Sequence, residues 1–116
     1  RQNIATGESD KPLTEAEEQK LLELADGEAA KAGVPCTACH YCTTHCPQGL
    51  PIPEILAFYN EYKLTGGGFI PTMGIRSLPE DKRPSACIGC RSCEQVCPQQ
   101  IKISEVMKDF SALLKL

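Results

Sequence analysis

Apolar residues recur at helical spacing in three stretches of the chain, and no stretch alternates convincingly at a period of two. The first stretch opens at Thr14-Glu15-Ala16-Glu17. This is capping-box spacing, in which the Thr14 hydroxyl and the Glu17 carboxylate satisfy free backbone N–H groups. Leu21, Leu22, Leu24, Ala25, Ala29 and Ala32 then form an apolar stripe, and Gly33 followed by Val34-Pro35 supplies a stop. Gly27 weakens the middle of this helix without ending it. In the second stretch Pro53 suits a first helical turn, and Ile55, Leu56, Tyr59 and Tyr62 line one side before Gly66. In the third, Ser104 is a natural N-cap ahead of Val106, Met107, Phe110, Leu113 and Leu114. Residues 64–86 hold Gly66-Gly67-Gly68, Pro71, Pro79 and Pro84. They predict loops with one or two short helices, around 72–78 and 79–83. Residues 1–12 are polar, with Gly7 and Pro12 and no period, and predict a flexible linker. The pattern as a whole predicts a mainly α fold with little or no sheet.

The last two helical stretches belong to an internal repeat. Residues 36–59 laid over residues 87–110 at a constant offset of 51 bring Cys36, Cys39, Cys42 and Cys46 onto Cys87, Cys90, Cys93 and Cys97. The match runs on through Pro47 with Pro98, Gln48 with Gln99, Leu50 with Ile101, Ile52 with Ile103, Glu54 with Glu105, Ile55 with Val106, Leu56 with Met107 and Tyr59 with Phe110. Each half is a cysteine loop followed by a helix, which implies a pseudo-two-fold arrangement.

Composition changes this picture in one respect. The chain has 116 residues with three Phe, three Tyr and no Trp, so its core must be built mainly from Leu, Ile, Val and Ala. A further source of stability is expected. Net charge is −3, and residues 1–35 carry eight acids against four bases, which reads as a solvated acidic helix. No concentrated basic face suggests nucleic acid, and neither a membrane-length apolar run nor a signal segment is present. A reducing, cytoplasmic setting is the expectation. A start at Arg1 rather than Met suggests a piece of something longer, with residues 1–12 linking a missing upstream domain to residues 13–116.

Spacing decides among a disulfide framework, zinc and iron–sulfur for the eight cysteines. Cys36-Thr37-Ala38-Cys39-His40-Tyr41-Cys42-Thr43-Thr44-His45-Cys46-Pro47 is C-x2-C-x2-C-x3-C-P, and Cys87 to Pro98 repeats it. This is the spacing of bacterial two-cluster ferredoxins, in which the fourth Cys ligates the other cluster. On that pattern Cys36, Cys39, Cys42 and Cys97 would hold one 4Fe-4S cluster, and Cys87, Cys90, Cys93 and Cys46 a second, leaving no cysteine over. A short loop can wrap three corners of a cubane, and the fourth must be reached from elsewhere. Zinc is the alternative, because C-x2-C pairs make zinc knuckles and His40 and His45 lie nearby. A zinc site closes at four ligands, however, and has no use for a third Cys at the same short step.

Ala38, Ile88 and Gly89 in the loops, with Leu50, Ile52, Val96, Ile101 and Ile103 beside them, are expected to shield the clusters, and Arg91 to oppose that effect if close. Gly66-Gly67-Gly68 lacks the spacing of a phosphate-binding loop, and no nucleophile–base pair stands apart from the cysteines. No catalytic residue is assigned.

Cys36 to Cys42, then Cys46-Pro47-Gln48-Gly49-Leu50-Pro51-Ile52-Pro53-Glu54-Ile55 and Tyr59-Asn60-Glu61, resemble the C-terminal iron–sulfur domain of certain aldo/keto reductases. The second cysteine run and Pro12-Leu13-Thr14-Glu15 fit that tail too. The resemblance implies a parent with an upstream TIM-barrel reductase domain using NADP(H), whose catalytic residues would all lie in the missing barrel. The long spacer between the runs also resembles the alpha-helical ferredoxin arrangement of succinate dehydrogenase iron–sulfur subunits and dihydropyrimidine dehydrogenase. The reading is therefore an electron-transfer module exchanging electrons with an external carrier. Its rivals are a structural or oxygen-sensing iron–sulfur domain without turnover, and a free-standing ferredoxin.

Overall fold

Helices and helical turns make up the regular structure of residues 1–9, 11–29 and 31–116, which the computed structural model describes, and no strand occurs among them. The chain divides into two units, Arg1–Ala30 and Lys31–Leu116.

In the first unit α1 (Gln2–Gly7) lies where an irregular linker was expected, with the Thr6 hydroxyl donating to the Gln2 carbonyl at 3.0 Å. None of its residues is buried. The next helix, α2 (Glu15–Ala29), starts at the predicted capping box: Thr14 N–H donates to Glu17 Oε2 at 2.9 Å, and Glu17 N–H to Thr14 Oγ1 at 3.3 Å. It ends before the predicted stop at Gly33, so Ala32 of the predicted stripe lies beyond it, and position 30 of that span is outside the described residues. The stripe is not buried: Leu21, Leu22 and Leu24 are 52%, 53% and 60% exposed. Helical periodicity marks a face suited to burial, and burial itself requires a partner surface.

The second unit carries the core. Two longer helices, α3 (Ile52–Thr65) and α4 (Phe69–Ser77), are joined through the glycine run. Pro53 sits in the first turn of α3, and Gly66 ends it in the left-handed conformation (φ 68°) with its N–H on the Tyr62 carbonyl. The first short helix predicted in the connector is α4, three residues earlier than expected. A Cβ on Gly74 would come within 2.3 Å of the Phe58 ring, so α4 lies against α3 at a distance only glycine allows. The second is a 3-10 turn at Glu80–Lys82, followed by another at Pro84–Ala86. Arg83 holds this segment, donating through Nε to the Leu78 carbonyl at 3.0 Å and through Nη2 to that of Arg76 at 2.9 Å.

A one-turn helix, α5 (Ser92–Gln95), and the terminal helix α6 (Ile103–Leu114) complete the unit. Its first residue falls 51 positions after that of α3, so the repeat persists in the fold. The buried residues Ile52, Ile55, Leu56 and Tyr59 of α3 share one apolar cluster with Ile103, Val106, Met107 and Phe110 of α6. The Phe110 ring meets Tyr59 and Tyr62 edge-on, at 5.5 and 5.7 Å between centroids. Leu113, expected in the buried stripe, is exposed. Ser104 is not an N-cap, because the helix starts at Ile103 and places it inside the first turn.

No helix among the described residues is long and apolar enough to cross a membrane.

Candidate metal centre

The two cysteine loops repeat each other bond by bond. Thr43 N–H donates to the His40 carbonyl and Glu94 N–H to that of Arg91, Cys46 N–H to Thr43 and Cys97 N–H to Glu94, and Gly49 N–H to Cys46 and Gln100 N–H to Cys97, all at 2.9–3.3 Å. Left-handed residues recur in the same register: Ala38 (φ 51°) with Gly89 (68°), His40 (63°) with Arg91 (61°), and Gly49 (58°) with Gln100 (53°). Four of these six are not glycine, at a cost of roughly 1–2 kcal/mol each, so the surrounding structure enforces the conformation. Alternation of right- and left-handed residues turns successive N–H groups toward one concave side, a geometry that receives anions and iron–sulfur clusters.

Two clefts follow from this backbone. Cys36, Cys39, Cys42 and Cys97 line the first together with His40 and Gln99. Cys46, Cys87, Cys90 and Cys93 line the second with Gln48 and Arg91. Each therefore combines three thiols of one run with the fourth of the other. They enclose about 320 and 340 Å³ of space free of protein atoms, part of it open to solvent. Thiol burial is paired as well: Cys42 and Cys93 are buried, Cys39 and Cys90 are exposed, and the remaining four are intermediate. Leu50, Ile52, Ile101 and Ile103 are buried beside the thiols as expected, and Val96 is half-buried. Ile88 is not a shield, being 61% exposed at the mouth of the second cleft. Both histidines are exposed, and the His45 ring is engaged through Nδ1 with the Tyr41 carbonyl at 3.0 Å.

Burial pushes the Cys42 thiol up, and pushes that of Cys93 up to about 11 with help from the nearby charges of Glu94, Cys46 and Cys87. A metal taken up at either thiol would therefore displace a proton. Hydrogen bonding from the Ser92 backbone and side chain lowers the Cys90 thiol.

Three anchoring residues escaped sequence reasoning. Asn60 clamps the chain ahead of the first loop, its Oδ1 accepting from Val34 N–H at 2.8 Å and its Nδ2 donating to the Val34 carbonyl at 2.7 Å. This requires glycine at 33, where a Cβ would stand 2.4 Å from Asn60 Oδ1. Lys82 Nζ donates to the Gln48 carbonyl at 2.7 Å. Glu94 Oε1 accepts from Ser104 N–H at 2.9 Å and from the Ser104 hydroxyl, so a side chain of α5 caps α6. Burial raises the Glu94 carboxyl, but the two Ser104 hydrogen bonds with Arg91 and Lys102 nearby outweigh it and hold the group below its ordinary range. None of the three carries a sequence signal, because their partners lie 26, 34 and 10 residues away along the chain.

The donor set fits an iron–sulfur cluster better than a single ion. Among the described residues no three His, Cys, Asp or Glu side chains converge closely enough to hold one metal ion. A tetrahedral zinc site needs every sulfur within about 2.3 Å of a common point. Here thiols from both runs line each cleft instead.

Residues 35–102 match the family described as 4Fe-4S dicluster domain. Among curated proteins the chain is similar to acetyl-CoA decarbonylase/synthase complex subunit alpha 1 of Methanosarcina mazei, 37% identical over 101 residues that cover 86% of this chain and 11% of the relative. The Methanosarcina acetivorans protein of the same name is 34% identical over 97 residues, covering 84% and 10%. The chain thus spans about a tenth of the length of the curated relatives it matches. No solved structure matches the chain at a significant level. These relatives are not aldo/keto reductases, and the parent with a barrel and NADP(H) is unsupported. Local structure accounts for the elements that carried that resemblance: Gly49 makes a left-handed turn, and Asn60 clamps Val34.

Proposed function

Since the chain belongs to the 4Fe-4S dicluster domain family, we propose that Cys36, Cys39, Cys42 and Cys97 hold one 4Fe-4S cluster and Cys46, Cys87, Cys90 and Cys93 a second, and that the pair serves as an electron relay. The observation that carries this reading is the composition of the clefts, each lined by three thiols of one run and the fourth of the other. Bound there, a 4Fe-4S cluster supplies one-electron oxidation and reduction. The protein's own part is to ligate, orient and shield. The left-handed loop residues set the path of the cysteine loops, and the buried Leu50, Ile52, Ile101 and Ile103 give the clefts apolar walls. Cys39 and Cys90 leave each site one exposed corner, as exchange with an external carrier requires. By similarity to the curated relatives, the second exchange partner is a redox centre in a larger protein of the acetyl-CoA decarbonylase/synthase alpha type.

Anaerobic preparation is expected to give about eight irons per chain and a broad visible absorption that bleaches with dithionite. Cys97→Ala and Cys46→Ala are each expected to remove about four irons, from different clefts. Stoichiometric zinc without colour would overturn the assignment. Clusters that stay redox-silent over the accessible range would favour a structural or oxygen-sensing domain.

A further inference from the structure

The two clefts share one backbone design, yet the charges fixed beside them differ. At the first cleft, position 43 is Thr, an uncharged side chain beside Cys42. Its counterpart at the second cleft is Glu94, adjacent to Cys93 and bonded to the amide and hydroxyl of Ser104. The reason lies in the helix starts: the counterpart of Ser104 is Pro53, which has no N–H to offer Thr43.

A cation is likewise present on one side. Lys82 Nζ sits on the carbonyl of Gln48, two residues beyond Cys46, with its side chain 37% exposed. His40 lines the first cleft where Arg91 lines the second, and the Arg91 guanidinium is shared with Glu105 at 3.8 Å, both well exposed. Lys82, which also pairs with the exposed Asp81 at 4.0 Å, and Glu94, with Arg91 and Lys102 nearby, are the less exposed charges, each held by a hydrogen bond to backbone, that distinguish the sites. Leu50 N–H also donates to Cys46 Sγ at 3.5 Å on the same side.

We propose that Lys82 and Glu94 are opposed positioning residues that trim the electrostatic potential of the second cleft, making the two sites unequal seats for an added negative charge. This inference rests on the reading that both clefts hold clusters. Lys82 favours the added charge and Glu94 resists it.

The test is a potentiometric titration of the whole chain at one pH, following each cluster by its spectroscopic signal. Lys82→Gln removes the cation and keeps a donor for Gln48, whereas Glu94→Gln removes the anion and keeps an acceptor for Ser104. The expected result is that one wave moves down in the first variant and up in the second. A charge about 10 Å away at an effective dielectric of about 20 changes the reduced-to-oxidised ratio at fixed potential roughly tenfold. The other wave should move markedly less, and the responsive wave should be the one surviving in Cys97→Ala. The inference is overturned if both waves move together, if neither moves, or if the two variants act on different waves. Iron content separates the layers: a wild-type chain that binds no iron overturns the cluster reading itself. Each variant is informative alone should the other fail to fold.

Discussion

Tyr59 and Phe110 hold equivalent places in the two halves and differ by one hydroxyl, which the fold uses. Tyr59 Oη donates to Asp109 Oδ2 at 2.8 Å, tying α3 to α6. Burial, followed by the Asp109 hydrogen bond and charge, pushes the phenol up to about 12 from an ordinary value of 10. A raised acid loses its stabilising effect as pH rises, so this contribution is complete below about pH 10 and disappears between about 10 and 12. Tyr59→Phe should remove that alkaline dependence and cost about 0.5–1.5 kcal/mol at neutral pH, as measured by thermal unfolding across the two ranges. An unchanged alkaline limb would place the dependence elsewhere. The apolar identity of positions 59 and 110 was legible in the aligned repeat. The hydroxyl's partner was not, because Asp109 pairs through tertiary contact at a separation of 50 residues.

Individual elements show where sequence signals stop. The α2 start was legible because Thr14 and Glu17 find each other within one turn. The Thr14 N–H and hydroxyl both donate to Glu17 Oε2, at 2.9 and 2.8 Å, and hold its carboxyl below its usual range, which is what a capping carboxylate requires. The exposed leucines of α2 and the misplaced cap at Ser104 share a cause, since both depend on what another element supplies. A helix face needs a covering surface, and the start of α6 takes its acceptor from Glu94, ten residues back on α5. Asn60 is the clearest case of a residue whose role is tertiary. Its amide bonds both backbone groups of Val34, so Asn60→Ala should leave the Val34 N–H unpaired, the carbonyl keeping its bond from Cys36 N–H, at a cost of about 1–3 kcal/mol. Hydrogen exchange should show the amides of Val34 and Cys36 opening faster in this variant while those of α6 keep their protection. Equal loosening of both segments would indicate general destabilisation instead.

For the whole molecule, the duplication extends from cysteine positions to dihedral angles, because the same ligand spacing imposes the same path on the backbone. Charge does not follow that symmetry, and it could not be read without knowing which residues face which cleft. The connector between the halves contributes another consequence. Residues 66–68 are glycines joining α3 to α4, and they lie outside both cleft linings. Cutting the chain there would give two pieces, each with three thiols for one cleft and only the fourth for the other. Neither piece alone could saturate a cubane, whereas the two together could complete both sites. Separately expressed halves, mixed with iron and sulfide, should therefore co-elute as a one-to-one pair carrying eight irons, and each alone should remain largely unfolded. Independent loading of a single half would show that its sites close locally. With ligation divided as proposed, the domain would behave as an obligate heterodimer whose subunits happen to be written in one chain.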